Sequence, residues 1–154
     1  MDQVIISSHE DWVHYEGEEL GASDYLKITQ EQINQFAQAT GDHQWIHTDV
    51  ERAKTESPYK TTIAHGYLTV SLIPVLLGQI IQAQNTKMTV NYEIRNLRFN
   101  QPVFVNSEVR LHASVAEVKN LRGITKVTVK VKLEIKDQRK PAYTGSIVFL
   151  YHFN

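Results

Sequence analysis

Asp42 and His47 stand five positions apart in the stretch Thr-Gly-Asp-His-Gln-Trp-Ile-His at residues 40–47. A carboxylate and an imidazole so placed can hold a water molecule between them and move its protons, which is general acid–base chemistry. Eighteen residues after His47 come His65 and Gly66, at the mouth of a strongly apolar segment. If that segment is a helix, its first N–H groups lack partners within it and can polarise a carbonyl oxygen. A base, a carboxylate and oxyanion donors within 25 residues point to an enzyme acting on a polarised carbonyl.

Each of these residues also has a plainer reading. Asp42 follows Gly41 and suits a turn or the cap of the next segment. His47, between Ile46 and Thr48, suits a core or surface histidine, and His65 suits a capping or packing position. Gly66 suits close packing or chain reversal. His43 and His47 would share one face of a helix and could hold a metal there. Gly41 argues against a helix at that point and no carboxylate cluster completes the ligand set, so no metal is expected. Ser57 and Ser71 lack the glycines of a nucleophile elbow, and no glycine-rich phosphate loop is present. The chemistry is expected to need no cofactor.

The elements that must position these residues follow from capping and periodicity. Thr29 suits an N-cap with Gln32 as its capping-box partner, and Ile33, Phe36, Ala37 and Thr40 recur at helical spacing. The spacing predicts a helix over 30–40 ended by Gly41, which leaves Asp42 on the exit turn. A short helix is predicted at 49–53, capped by Thr48 or Asp49, and a polar loop with Pro58 at 55–62. The apolar helix over 66–81 carries large side chains on nearly every face, so it is expected to be buried nearly all round and kinked at Pro74. The first 25 residues, acidic and aromatic, read as an irregular segment or short strand leading to Leu26 and Ile28.

After Asn85 the period changes to two. Val90, Tyr92 and Ile94 alternate, then Leu97 and Phe99 continue in the opposite phase, which predicts a bulge near Arg95 and Asn96. Pro102 is expected to start the next strand, with Val103, Val105, Val109, Leu111, Ala113 and Val115 on one face. Leu121-Arg122-Gly123 marks a turn. Val127, Val129, Val131, Leu133 and Ile135 then oppose Lys126, Thr128, Lys130, Lys132 and Glu134, a half-exposed antiparallel strand. The last strand, 143–153, is apolar at every odd position and belongs inside the sheet. Helices first and four long antiparallel strands after them indicate α+β. A sheet with one apolar face curling around an apolar helix is the hot-dog arrangement, and no repeat or linker divides residues 1–154, so one domain is expected.

Composition narrows the partners. The formal net charge is −1, from 16 basic and 17 acidic residues, so neither nucleic acid nor an anionic membrane is expected. Lys126, Lys130 and Lys132 read as a solvated sheet face that also resists edge pairing. There is no cysteine, which excludes disulfides, thiolate metal sites and a cysteine nucleophile. The N-terminus lacks the pattern of a signal peptide, and the apolar segment is broken by Thr69, Ser71, Pro74 and Gln79. A cytoplasmic protein is the expectation.

Residues 36–47, Phe-Ala-Gln-Ala-Thr-Gly-Asp-His-Gln-Trp-Ile-His, with 63–68, Ile-Ala-His-Gly-Tyr-Leu, resemble the MaoC-like dehydratases, or (R)-specific enoyl-CoA hydratases. The wording around Asp42, and that of 91–99 with Pro102-Val103, is most similar to the branch containing nodulation protein N. The resemblance spans about residues 25–154. It implies a hot-dog fold, usually a homodimer joined edge to edge. It also implies reversible hydration of a trans-2-enoyl thioester, of CoA or of acyl carrier protein, to the (R)-3-hydroxyacyl thioester. Carried onto this chain, Asp42 and His47 bind and activate water. His47 takes a proton, and Asp42 returns one to the α-carbon or shares that work. The Gly66 N–H polarises the thioester carbonyl, with His65 beside it in the substrate-binding motif. Lys60 and Arg98 are candidates for the CoA phosphates. Two departures stand out: Gln44-Trp45 replaces the usual Asn-Pro, and Pro74 stands where some members carry serine. Two alternatives stay open, a hot-dog thioesterase and a non-catalytic acyl-binding module.

Overall fold

The structure, a computed structural model, describes residues 2–154. The chain begins with β1 (Val4–Ile6), α1 (His9–His14), β2 (Glu19–Ala22) and β3 (Leu26–Lys27). Then come the helices α2 (Gln30–Thr40), α3 (Trp45–Thr48), α4 (Val50–Glu56), α5 (Gly66–Ser71) and α6 (Ile73–Ile80). The strands β4 (Ile81–Ala83), β5 (Thr86–Phe99), β6 (Glu108–Leu121), β7 (Ile124–Ile135) and β8 (Tyr143–Phe153) complete it. The main sheet is antiparallel in the order β2-β6-β7-β8-β5, with β3 also on β6, while β1 and β4 form a small parallel pair.

Alternation in β6, β7 and β8 produces the inner face. Val109, Leu111, Val127, Val129, Leu133 and Tyr143 are fully buried against Ile73, Leu76, Leu77 and Ile80 of the apolar helices and Trp12 of α1. Arg122 and Gly123, both at positive φ, make the two-residue turn of the β6–β7 hairpin, whose twist matches the strands. β8 lies between β7 and β5, as its double-faced pattern requires. The bulge expected in β5 lies between Arg95 and Arg98, with Asn96 in the left-handed region. Gly145 on β8 makes room for it, since a Cβ there would meet the Leu97 Cα at 2.7 Å.

Four expectations are corrected. The first 25 residues hold a helix, α1, because the Ser8 hydroxyl accepts from the Asp11 N–H and Trp12 drives one face into the core. No strand starts at Pro102: β6 begins at Glu108, and Val103 is buried from a loop that meets Ile63 in an isolated bridge with Phe104. The apolar helix is not buried all round. Leu72 divides it into α5 and α6, with Pro74 in the first turn of α6, and Tyr67 and Val75 are 78% and 58% exposed because the sheet covers one side only. The lysines of β7 face solvent or its margin, but β7 is central, so they guard no edge.

Candidate active site

Thr29 caps α2 through a 3.2 Å bond from the Gln32 N–H, and Gly41 ends the helix in the left-handed conformation. The next residue, Asp42, accepts the Gln44 N–H on Oδ1 at 3.3 Å, a local turn that leads straight into α3. The single turn of α3 carries His47 inward, to 7% exposure. Its Nδ1–H donates to the Ile63 carbonyl at 2.7 Å, which leaves Nε2 as the free lone pair. The Ile63 N–H donates back to the Ile46 carbonyl at 3.1 Å, so the partner carbonyl is fixed by the same short helix. Gln30 braces the assembly from α2, donating to the His47 carbonyl at 2.8 Å and accepting from the Thr62 hydroxyl at 2.6 Å.

Burial holds the His47 imidazole below its ordinary pKa, and the neighbouring His65 adds to that. The Ile63 hydrogen bond and the Asp42 charge oppose the shift without overcoming it. His47 is therefore a neutral base near pH 7. Asp42 is open to solvent.

His65 is the N-cap residue of α5 but makes no side-chain cap. It is 2% exposed, and its Nε2–H donates to the Asp42 main-chain carbonyl at 3.0 Å. Its ring stacks on His47 with centroids 3.9 Å apart and planes 23° apart, and the Phe36 ring packs against it at a tilt of 55°. One ligand atom from each of Asp42, His47 and His65 falls within 4.8 Å of the others. His47 Nδ1 and His65 Nε2 each already donate to a main-chain carbonyl, so one nitrogen of each ring is left for any other partner.

Gly66 opens α5, where the helix leaves its N–H without an internal partner. A Cβ at this position would lie 2.8 Å from the Phe99 ring, so the ring presses against the backbone here. The Thr69 hydroxyl donates to the Gly66 carbonyl at 2.7 Å, and the buried Tyr143 hydroxyl donates to the Thr69 carbonyl at 3.0 Å. That chain of bonds ties the start of α5 to β8. Asp42, His47, His65 and Gly66 all line one cleft of about 570 Å³, walled by Tyr59 and Phe99.

The other sequence candidates lie outside this cleft. His43 is exposed, and Trp45 stacks under the Arg52 guanidinium, which lies 4.3 Å from its ring centre. Lys60 donates to the Thr55 carbonyl at 3.1 Å, and Arg98 is exposed on β5. Pro74 lines a separate apolar cavity of about 380 Å³. Sequence reading missed Gln30, the Ile63 carbonyl, Phe99 and Tyr143 as parts of the site. A main-chain carbonyl leaves no residue signature, whereas the inward register of β8 offered a signal for Tyr143.

A family model described as a MaoC like domain matches residues 12–136. 3-Hydroxyacyl-thioester dehydratase Z of Mycobacterium tuberculosis is 43% identical over 136 residues, covering 88% of this chain and 89% of that one. Nodulation protein N of Rhizobium leguminosarum is 37% identical over 141 residues, covering 90% and 87%. Among solved structures, the (R)-hydratase of A. caviae superposes with a TM-score of 0.68 at 27% identity, over 84% of this chain and 93% of that one. The match over most of the chain, on a hot-dog sheet, establishes that this protein belongs to the MaoC-like dehydratase family.

Proposed function

We propose that the protein interconverts trans-2-enoyl thioesters and (R)-3-hydroxyacyl thioesters by adding or removing water. The single observation that carries this reading is the free Nε2 of a neutral, buried His47 in the same cleft as Asp42 and the start of α5. Water held between Asp42 and His47 gives its oxygen to the β-carbon. The pair takes one proton from that water and returns one to the α-carbon, so its own protonation is restored each turnover. The Gly66 N–H donates to the thioester oxygen and stabilises the charge that grows there as the enolate forms. Each proton-transfer role contributes roughly 10²–10⁴ in rate, and an oxyanion donor roughly 10²–10³. Relatives named 3-hydroxyacyl-thioester dehydratase and 3-hydroxybutyryl-CoA dehydratase support the substrate class, an acyl-CoA or acyl carrier protein thioester.

The working unit is a homodimer in this reading. β5 is an edge strand, and Tyr92, Ile94, Met88 and Phe99 on it are exposed together with Tyr67 and Val75 of the neighbouring helices. Large apolar side chains so concentrated on one edge suit a second copy of the chain.

Incubation with crotonyl-CoA tests the chemistry. Loss of enoyl absorbance without free thiol is the expected result. Release of CoA would instead favour hydrolysis, and no change with any enoyl thioester would favour an acyl-binding role.

A further inference from the structure

His65 touches every part of the proposed machinery, yet its side chain has no free atom to offer a substrate except one that is buried. The carbonyl of Asp42 can only accept, so Nε2 of His65 carries the hydrogen of their 3.0 Å bond. The remaining ring nitrogen, Nδ1, is buried without a partner. A polar atom left in that condition opposes folding, so the ring needs a compensating role.

We infer that His65 is a positioning residue: its Nε2–H tethers the Asp42 backbone while its ring face sets the plane of His47, which holds the two groups at a fixed separation across the cleft. Three contacts define the device. The tether fixes the exit turn of α2, the stack fixes the single turn of α3, and Phe36 on α2 backs the ring at 4.9 Å. The next residue in the chain is Gly66, so the same ring also registers the start of α5 against the acid–base pair. The other titratable side chains lining the cleft are Asp42, His47, Tyr59 and Tyr67, and none of them donates to the Asp42 carbonyl. The inference rests on the hydration reading of the cleft.

Two variants separate the contacts. His65→Phe keeps the ring face and loses the tether, while His65→Gln places a donor near the Nε2 position and loses the ring. A misplacement of about 1 Å costs on the order of 10²-fold in rate. Hydration of crotonyl-CoA by His65→Phe is therefore expected to fall about 10²-fold in kcat, with KM within about threefold. His65→Gln should recover about tenfold of that loss, because the tether returns. In the wild-type protein, nitrogen NMR should find the His65 proton on Nε2. A kcat for His65→Phe within twofold of wild type, no recovery with Gln, or a proton on Nδ1 would overturn the inference. If either variant fails to fold, the wild-type NMR spectrum decides. A wild-type protein that hydrates nothing would sink the hydration reading itself, and that outcome is distinct from active variants.

Discussion

Replacing Gly66 with alanine sets two effects against each other at the start of α5. The backbone there is ordinary, with no positive φ, so alanine would by itself stabilise by about 0.4–1 kcal/mol through the unfolded chain. The new Cβ, however, would lie 2.8, 2.9 and 3.2 Å from Cε1, Cζ and Cδ1 of Phe99. Carbon atoms prefer 3.5–4.0 Å, so the ring or the helix must withdraw by roughly 0.7 Å. Overpacking of this kind costs about 1–3 kcal/mol. Phe99 is half exposed but packs edge-on against Tyr143, which limits its retreat. The clash wins, with a net loss of about 1 kcal/mol, or about 2–4 °C in Tm for a chain of this size. The same displacement moves the Gly66 N–H, and hydration of crotonyl-CoA should fall on the order of 10–10²-fold in kcat. Phe99→Ala in the same chain should restore the lost melting temperature relative to Phe99→Ala alone, a coupling read from the double-mutant cycle. A Gly66→Ala protein with unchanged Tm and kcat within twofold of wild type would refute the reasoning.

Tyr143→Phe removes the hydroxyl that donates to the Thr69 carbonyl and leaves that buried acceptor unpaired. A loss of about 1–3 kcal/mol in urea unfolding is expected, and a change under 0.5 kcal/mol would show that the bond carries no load. Because burial lowers the His47 pKa, the unfolded chain binds more protons than the folded one as pH falls below about 6.5. The corresponding stability is therefore full above that pH and declines as pH drops through the folded value. His47→Gln should show a flatter fall in urea midpoint between pH 7 and 5 than wild type. On the outer face of the sheet, Arg110 chiefly, with His112 and Tyr25, holds the Glu134 carboxyl down to about 2. This stabilisation is present above about pH 4.5 and is lost as pH falls towards 2. Glu134→Gln should lower stability at pH 7 by about 1–2 kcal/mol after solvent screening, and the difference should shrink in acid.

The parts of the fold written in side-chain alternation were legible. β7 and β8 follow from their period-two patterns, α2 follows from Thr29 and Gly41, and the helix break follows from Pro74. Elements held by few residues were not. α1 depends on one cap and one buried tryptophan, and β2 and β3 are too short to show a period. The loop at 102–107 carries valines that look like strand residues, but its backbone pairs only locally, with residues 62–64 through the Ile63–Phe104 bridge, and never joins the main sheet. At the site, the types and spacing of Asp42, His47, His65 and Gly66 were visible, and they share one cleft in three dimensions. The tautomer of His47 was not visible, because it is set by the main chain of Ile63. Nor was the stacking of His65 on His47, since it joins residues 18 positions apart through loop geometry alone. The exposure of Tyr67 also escaped a reading that assumed the sheet would enclose the helix.

The most direct test compares crotonyl-CoA hydration by the wild-type protein with that of Asp42→Asn and His47→Gln, each checked for folding by circular dichroism. If the two side chains share the protons of one water, each variant loses roughly 10²–10⁴ in kcat with little change in KM. Folded variants that hydrate crotonyl-CoA at the wild-type rate would contradict the assignment of Asp42 and His47 as the acid–base pair.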